Sequence, residues 1–346
     1  MAKRQTAAEI AKLAGVSRST VSRVINGYSN VPAGTRERVM KVIDEHGYVP
    51  QLSGQLLVGK STRTLGFFWI SNGGSIANDL QCSAFFVHVT EIAASLGYVV
   101  LTCIVDNLRD RQNIDWVRRI FLQGRVDAGI LIGANDDEPL VEELIAKGKI
   151  VGVFDHHPQG RDEPNRLSVN FEWDTGERAI DYLVDLGHRD IAVIDGNLKR
   201  FSSMQRHESY LRGLRKHGLP SRPQWIIAAD VNAEEGYHAA TALLAPGGPL
   251  PTAICANTDA TAFGVYRALG EAGFSIPGDV SVVGIDGHEG GLLLQPRLTT
   301  FVFDFEKIFR SLVCRTVAAA EQQPGVAATE FFTSQLVERE SCRRIG

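Results

Sequence analysis

The chain has 346 residues, 44% hydrophobic and 22% charged, with 34 Gly, 13 Pro and 8% aromatics. This composition excludes wholesale disorder and fibrous repeats, and at roughly 150 residues per domain it predicts two or three globular units. No apolar run approaches the ~18 residues that span a bilayer, and the opening MAKRQTAAEI is charged, without the apolar stretch of a secretory signal. Five cysteines (82, 103, 255, 314 and 342) form no CxxC, which argues against a disulfide framework or a zinc site. The expectation is a cytoplasmic protein with no membrane segment, no metal and no cofactor.

The net charge of −4 conceals an asymmetry. Residues 1–63 hold ten Lys/Arg and four Asp/Glu, a balance of +6; the remaining 26 of 36 basic and 36 of 40 acidic residues leave −10 beyond them. A small basic head on a large acidic body points to a polyanionic partner for the head.

In chain order, Thr6-Ala7-Ala8-Glu9 reads as a capping box. Ile10, Leu13 and Ala14 follow at helical spacing, and Gly15 supplies a left-handed stop. Ser17 is a second N-cap, opening a helix over Arg18–Asn26 with Val21, Val24 and Ile25 inward. Gly15-Val16-Ser17 alone separates the two helices, the sharp turn of a helix-turn-helix. A third helix is predicted from about Ala33 to His46, burying Val39, Val42 and Ile43 and stopped by Gly47. The second helix then presents Arg18, Ser19, Ser22, Arg23 and Asn26 outward, and Arg is well suited to bidentate bonding with guanine in the major groove. A plain solvated face is the alternative reading; charge, caps and exposed residues together favour DNA.

The segment EIAKLAGVSRSTVSRVINGYSNVPAGTRERVMKVIDEHGYVP resembles the head of the LacI/GalR family of bacterial transcriptional regulators. The resemblance implies that Arg18, Ser19, Ser22 and Arg23 face base edges. It implies that Thr6, Ser17, Thr20, Asn26, Asn30 and Thr35 lie near phosphates, fixing register without reading sequence.

Gly54-Gln-Leu-Leu-Val-Gly59-Lys60-Ser61 satisfies GxxxxGK[ST], but a phosphate loop needs a strand before it and a helix after it. Here helices precede and the apolar run Thr64–Ile70 follows, so a linker with a short helix over about Gln51–Val58 is the better reading. In the resembling family this hinge folds on operator DNA, and Leu57 occupies the position of a leucine that wedges into the minor groove. Gln51 and Gly54 depart from the family's common Asn and Ala, and Gly in a helix costs about 1 kcal/mol relative to Ala.

From Leu65 onward, strands and helices alternate. Predicted strands are Thr64–Ile70, Tyr98–Val105, Ala128–Ile132, Ile150–Phe154, Asp190–Ile194, Ala253–Ala256 and Ser281–Ile285, with amphipathic helices such as Asp174–Leu186 and Ala260–Ala272. Short β-branched runs between helices imply parallel sheets covered on both faces. The length suggests two lobes, with ligand at the carboxyl ends of the strands. The resemblance continues through AIDYLVDLGHRDIAVIDG (179–196), PTAICANTDATAFGVYRAL (251–269), DVSVVGIDG (279–287) and PRLTTF (296–301). It implies an N-terminal all-α helix-turn-helix head plus an α/β two-lobed periplasmic-binding-protein-like effector domain. The corresponding divisions are 1–49 for the head, 50–63 for the hinge and 64–346 for the effector-binding and dimerisation body.

Carried over by position, Arg206 would contact effector hydroxyls or an acidic group and Asp286 would accept from hydroxyls. Asp155, Ile70, Phe171, Phe303 and Phe305 would line the cleft. Thr258 stands where members commonly have a ligand-contacting Asn, and Val231 near a common ring, which Trp69 or Trp173 would have to replace. An Arg and an Asp in an aromatic-lined cleft suit a polyol, because each hydroxyl donates and accepts.

Two rival functions are weaker. An enzyme would show a GxGxxG after the first body strand, a G-x-S-x-G or a metal-spaced cluster; His156-His157 is only an adjacent pair, pointing to opposite faces of a strand. A solute-binding protein would have no use for the basic head. The expectation is therefore a homodimeric repressor of sugar uptake or catabolism genes, each head reading half of a pseudo-palindromic operator under control of a sugar-like effector. LVERESCRRIG carries no leucine heptads for further assembly.

Overall fold

The computed structural model describes residues 5–48, 61–71, 81–105, 110–135, 138–156, 163–172, 174–196, 198, 201–245 and 248–346. They divide into two units, Met1–Thr62 and Arg63–Gly346.

In the first unit, α1 (Ala7–Ala14) begins at the expected capping box and stops at Gly15, whose φ of 64° is left-handed. Helix α2 (Arg18–Ile25) is capped by Ser17, and α3 is Ala33–Glu45. Ile10, Ala11, Ala14, Val21, Val24, Val31, Val39 and Ile43 form the core, with Ile25 and Val42 partly buried against it. Leu13 is not part of it, being 52% exposed. At 3.6 residues per turn the inward arc of so short a helix is centred near Ala14. Ala11 falls inside that arc and Leu13 outside it.

The second unit contains two six-stranded sheets. The first uses β1 (Thr64–Ile70), β2 (Val99–Val105), β3 (Ala128–Ile132), β4 (Ile150–Phe154), β5 (Arg166–Phe171) and β11 (Thr329–Phe332), ordered β11-β5-β4-β3-β1-β2 with every neighbour parallel. The second uses β6 (Ile191–Asp195), β7 (Ile226–Ala228), β8 (Ala253–Ala256), β9 (Ser281–Asp286), β10 (Thr299–Val302) and β12 (Gln335–Val337). Its order is β12-β10-β9-β8-β6-β7, with only β12 antiparallel to its neighbour. The chain crosses between the sheets after β5, after β10 and after β11.

Helices cover both faces, as continuous apolar strands require. In the first lobe α4 (Cys82–Ser95) lies with β1 and β4 on one side of the sheet, while α5 (Arg111–Leu122) and α6 (Pro139–Ala146) enclose Phe68, Val151 and Val153 on the other. In the second lobe α7 (Thr175–Asp185) packs on α8 (Phe201–Lys216). Helices α9 (Ala233–Leu243) and α10 (Asp259–Glu271) bury Ala240, Ala262 and Val265 against Ile254 and Val282. Helix α11 (Phe305–Ala320) returns to the first lobe, where Leu312 and Val313 join the core.

Candidate functional site

In the head, Arg18, Ser19, Ser22 and Arg23 are all exposed on α2, opposite Val21 and Val24. Ser17 is occupied locally: its Oγ accepts from Thr20 N at 3.1 Å and lies 2.7 Å from Ser19 Oγ. Thr6 is likewise held in the capping box, its N–H donating to Glu9 Oε2 at 2.8 Å. Asn26 caps the end of α2 and donates to Ser22 Oγ at 3.2 Å, leaving its own Oδ1 buried without a partner. Asn30 is exposed and Thr20 and Thr35 are partly buried. No acidic residue stands in the first turn of α2, so the partial positive charge of that helix end is uncompensated and favours phosphate. Leu57, Gln51 and Gly54 lie outside the described residues.

In the body, the polar groups gather where the parallel strands end. Asp155 follows β4 in a left-handed conformation (φ 59°) and is buried. Its Oδ2 accepts from Ser202 Oγ of α8 at 2.6 Å, a bond from one lobe to the other, while its Oδ1 has no hydrogen-bond partner among the described residues. One turn beyond Ser202, Arg206 turns Nη1 to the carbonyl and Oδ1 of Asn257, at 2.9 and 2.7 Å. Its Nε and Nη2 make no hydrogen bond among the described residues. Asp286 ends β9 with φ 116° and is partly buried. A buried donor or acceptor left unsatisfied costs about 1–3 kcal/mol, so the free Asp155 oxygen marks a place where a bonding partner is expected.

Thr258 has a local partner. It is the N-cap of α10, accepting from Thr261 N at 3.1 Å. The amide that meets Arg206 belongs to the residue before it, Asn257.

Ile70 and Phe303, expected in the lining, are buried. Both are core side chains, Ile70 packed with Phe68 and Leu131 and Phe303 in the larger cluster. Phe171 lies 4.7 Å from Phe303 and 5.5 Å from Phe154 between ring centroids, and Phe305 lies 4.8 Å from Phe85. These rings pack on one another where the chain crosses between lobes, since edge and tilted aromatic contacts at such distances are favourable in themselves. Phe171 and Phe305 remain partly exposed. Trp69 is also core, against Phe67 and Phe85, Val231 is exposed, and Trp173 and His157 lie outside the described residues.

Several polar groups at these strand ends escaped the reading of the sequence: Ser202, Asn257, Asn170 and the pair Asp195–His207. Asp195 ends β6 with its Oδ2 2.6 Å from His207 Nδ1 and its Oδ1 accepting from Gly196 N at 2.9 Å. Burial pushes its carboxyl up, against those two bonds and the nearby Arg206. Asn170, next to last in β5, is 1% exposed and neither of its amide atoms has a hydrogen-bond partner among the described residues.

A helix-turn-helix head followed by two parallel sheets with polar groups converging at their carboxyl ends defines a class: DNA-binding regulators with a binding-protein-like body. Comparison with known proteins agrees. Residues 6–51 match the lacI family of bacterial regulatory proteins and residues 180–342 a periplasmic binding protein-like domain. The HTH-type transcriptional repressor PurR of Pasteurella multocida (strain Pm70) is 30% identical over 301 residues, covering 85% of this chain and 86% of that protein. The probable HTH-type transcriptional repressor ExuR of Bacillus subtilis (strain 168) is 28% identical over 344 residues, covering 98% of this chain and 99% of that protein. The crystal structure of the Lac repressor dimer bound to operator and the anti-inducer ONPF has a TM-score of 0.81 at 28% identity, covering 99% of this chain and 100% of that one. The chain belongs to the LacI family of bacterial regulatory proteins. It is a transcriptional regulator and not an enzyme.

Proposed function

We propose that this regulator is a cytoplasmic homodimer that represses sugar uptake or catabolism genes and is controlled by a sugar-like effector. Each head reads one half of a pseudo-palindrome, matching two-fold protein to two-fold operator. Arg18, Ser19, Ser22 and Arg23 approach base edges, while Thr6, Ser17, Thr20, Asn26, Asn30 and Thr35 sit at phosphates. Leu57 enters the minor groove. The observation that carries this reading is the outward face of α2, four exposed hydrogen-bonding side chains behind which Val21 and Val24 are fully engaged in the core. The operator in the Lac repressor structure supports it.

Arg206, Asp155 and Asp286 take the effector at the strand ends. Arg206 donates through its free nitrogens and the carboxylates accept, a combination matched by hydroxyl groups. An effector there acts on DNA affinity only through its different affinity for the two lobe arrangements. The test is fluorescence anisotropy of the full chain on the DNA upstream of its own gene and of neighbouring transport genes, at fixed salt with unrelated DNA as competitor. Tight, competitor-resistant binding that one sugar weakens is expected. Equal competition by unrelated DNA on every fragment would remove the operator reading.

A further inference from the structure

We infer that Asp259, which is not among the residues proposed to meet the effector, positions Asp286 by fixing the turn that follows it. This rests on the effector-binding reading above and deepens it by naming what sets the geometry of one of its acceptors.

Asp286 ends β9 in a conformation that needs support. Its φ is 116° and that of Gly287 is 81°, so two successive residues are left-handed and only the second is a glycine. A non-glycine residue held there is strained and persists only where its surroundings over-determine it. Part of the support comes from β10: the register sets Asp286 beside Val302, and Phe303 N donates to Asp286 O at 3.3 Å. Gly287 lies against the same Val302, whose methyl carbons would be 2.6 and 2.8 Å from a Cβ there.

The rest comes from α10. Asp259 opens that helix and is fully buried, and its Oδ2 accepts from the backbone N–H of His288, two residues beyond Asp286, at 2.6 Å. The Gly287 N–H also faces the carboxylate and favours its ionised form. The other oxygen, Oδ1, accepts from Thr300 Oγ1 of β10 at 2.6 Å, over a strand position, Gly284, where a Cβ would collide with it. One carboxylate thus ties the turn after β9 to a helix end and to the neighbouring strand. Burial pushes this carboxyl up to about 7, against its three donors and the nearby Arg339, so both protonation states occur near neutral pH. Both can hold the turn. Ionised, Asp259 accepts from Thr300; protonated, its O–H donates to the same hydroxyl oxygen while Oδ2 keeps the His288 amide. Asparagine can do likewise, with its N–H₂ toward Thr300, whereas alanine releases the turn.

The experiment compares the full chain with Asp259→Asn and Asp259→Ala, by hydrogen–deuterium exchange over residues 281–292 and by titration with a panel of free hexoses and hexuronates. In Asp259→Ala the Gly287 and His288 amides are expected to exchange about 10-fold or more faster than in the wild type, with β9 itself unchanged. In Asp259→Asn they stay protected. The sugar that stabilises the wild type should bind Asp259→Ala about 10- to 100-fold more weakly and Asp259→Asn within about 3-fold. Should Asp259→Ala fail to fold, Asp259→Ser, too short to reach the turn, takes its place. Wild-type exchange in the short variant overturns the inference, because the turn then holds without Asp259. A lowered Tm with unchanged sugar affinity also overturns it, making Asp259 a structural residue and leaving the effector reading standing. Sugar binding lost equally in Asp259→Asn overturns it too, since charge and not the bond to the turn would then matter. If no sugar on the panel binds the wild type, the effector reading falls and the inference with it.

Discussion

The head and the cleft of the body treat polar groups in opposite ways. In the head, most polar side chains are exposed or held in caps, as Ser17 and Thr6 are, with Asn26 Oδ1 an exception, and the core is apolar although Leu13, Tyr28 and Met40 are exposed. At the strand ends of the body, buried or partly buried polar groups make no hydrogen bond among the described residues: one oxygen of Asp155, both amide atoms of Asn170 and the outer nitrogens of Arg206. The first arrangement suits a charged surface, where affinity comes from phosphate contacts and released counterions and falls steeply with salt. The second suits a small ligand that completes missing hydrogen bonds out of bulk water, and its affinity should barely respond to salt.

The largest effect that separates the two regions comes from Gly264. A Cβ there would fall on the Ala233 carbonyl and the Tyr237 amide, where α9 and α10 pack backbone against backbone. Gly264→Ala should destabilise the second lobe by about 3 kcal/mol, at the upper end of overpacking costs, and calorimetry should show the loss in the transition of the body. A transition within half a degree of wild type would mean that the two helices can part freely. Next is Arg206→Ala, which removes the cleft's charged donor and strands the two Asn257 oxygens that hold it. Roughly 2–3 kcal/mol of effector affinity should go, while ligand-free operator binding persists; titration calorimetry with the responsive sugar decides it. Arg18→Ala should cost about 2 kcal/mol at one base pair and relax the preference there, without changing the effector titration. An unchanged base-preference profile would remove Arg18 from the base edge.

What the sequence made legible follows the range of the interactions. Capping boxes and left-handed glycines act over three or four residues, so Thr6, Glu9, Gly15 and Ser17 were readable directly. The continuous apolar runs of β1, β3, β4 and β8 were readable to the residue. Strand β5 was not, because Arg166, Ser168 and Asn170 interrupt its apolar pattern, and β7, β11 and β12 are only three or four residues long. For the body, resemblance alone pointed to Arg206, Asp155 and Asp286; the fold places Asp155 and Asp286 at the ends of β4 and β9 and Arg206 on α8. Their partnerships were not legible, since Ser202 meets Asp155 across 47 residues and Arg206 meets Asn257 across 51. The phenylalanines illustrate the limit of pattern alone: aromatic residues beside a cleft and aromatic residues bridging two lobes have the same spacing.

The smallest expected effect lies outside both sites and calibrates the comparison. Arg118 and Lys147 hydrogen-bond Glu143 and hold its carboxyl near a pKa of about 2, below its ordinary 4.5. A carboxyl lowered in the folded state contributes stability that is fully present above its unfolded pKa and is lost as pH falls through the folded one. The body should therefore lose stability between about pH 4.5 and 2. Both partners are partly solvated, with side chains 30% and 27% exposed for Arg118 and Glu143, so the contribution should be about 1 kcal/mol or less. Glu143→Gln should flatten that part of the acid limb in a pH series of denaturant melts and leave neutral-pH operator and effector titrations unchanged. A slope identical to wild type would assign the acid sensitivity to other carboxylates. An altered effector titration would mean that this partly solvated network on α5 and α6 reaches the proposed effector site, and the contrast between the head's surface and that site would no longer be clean.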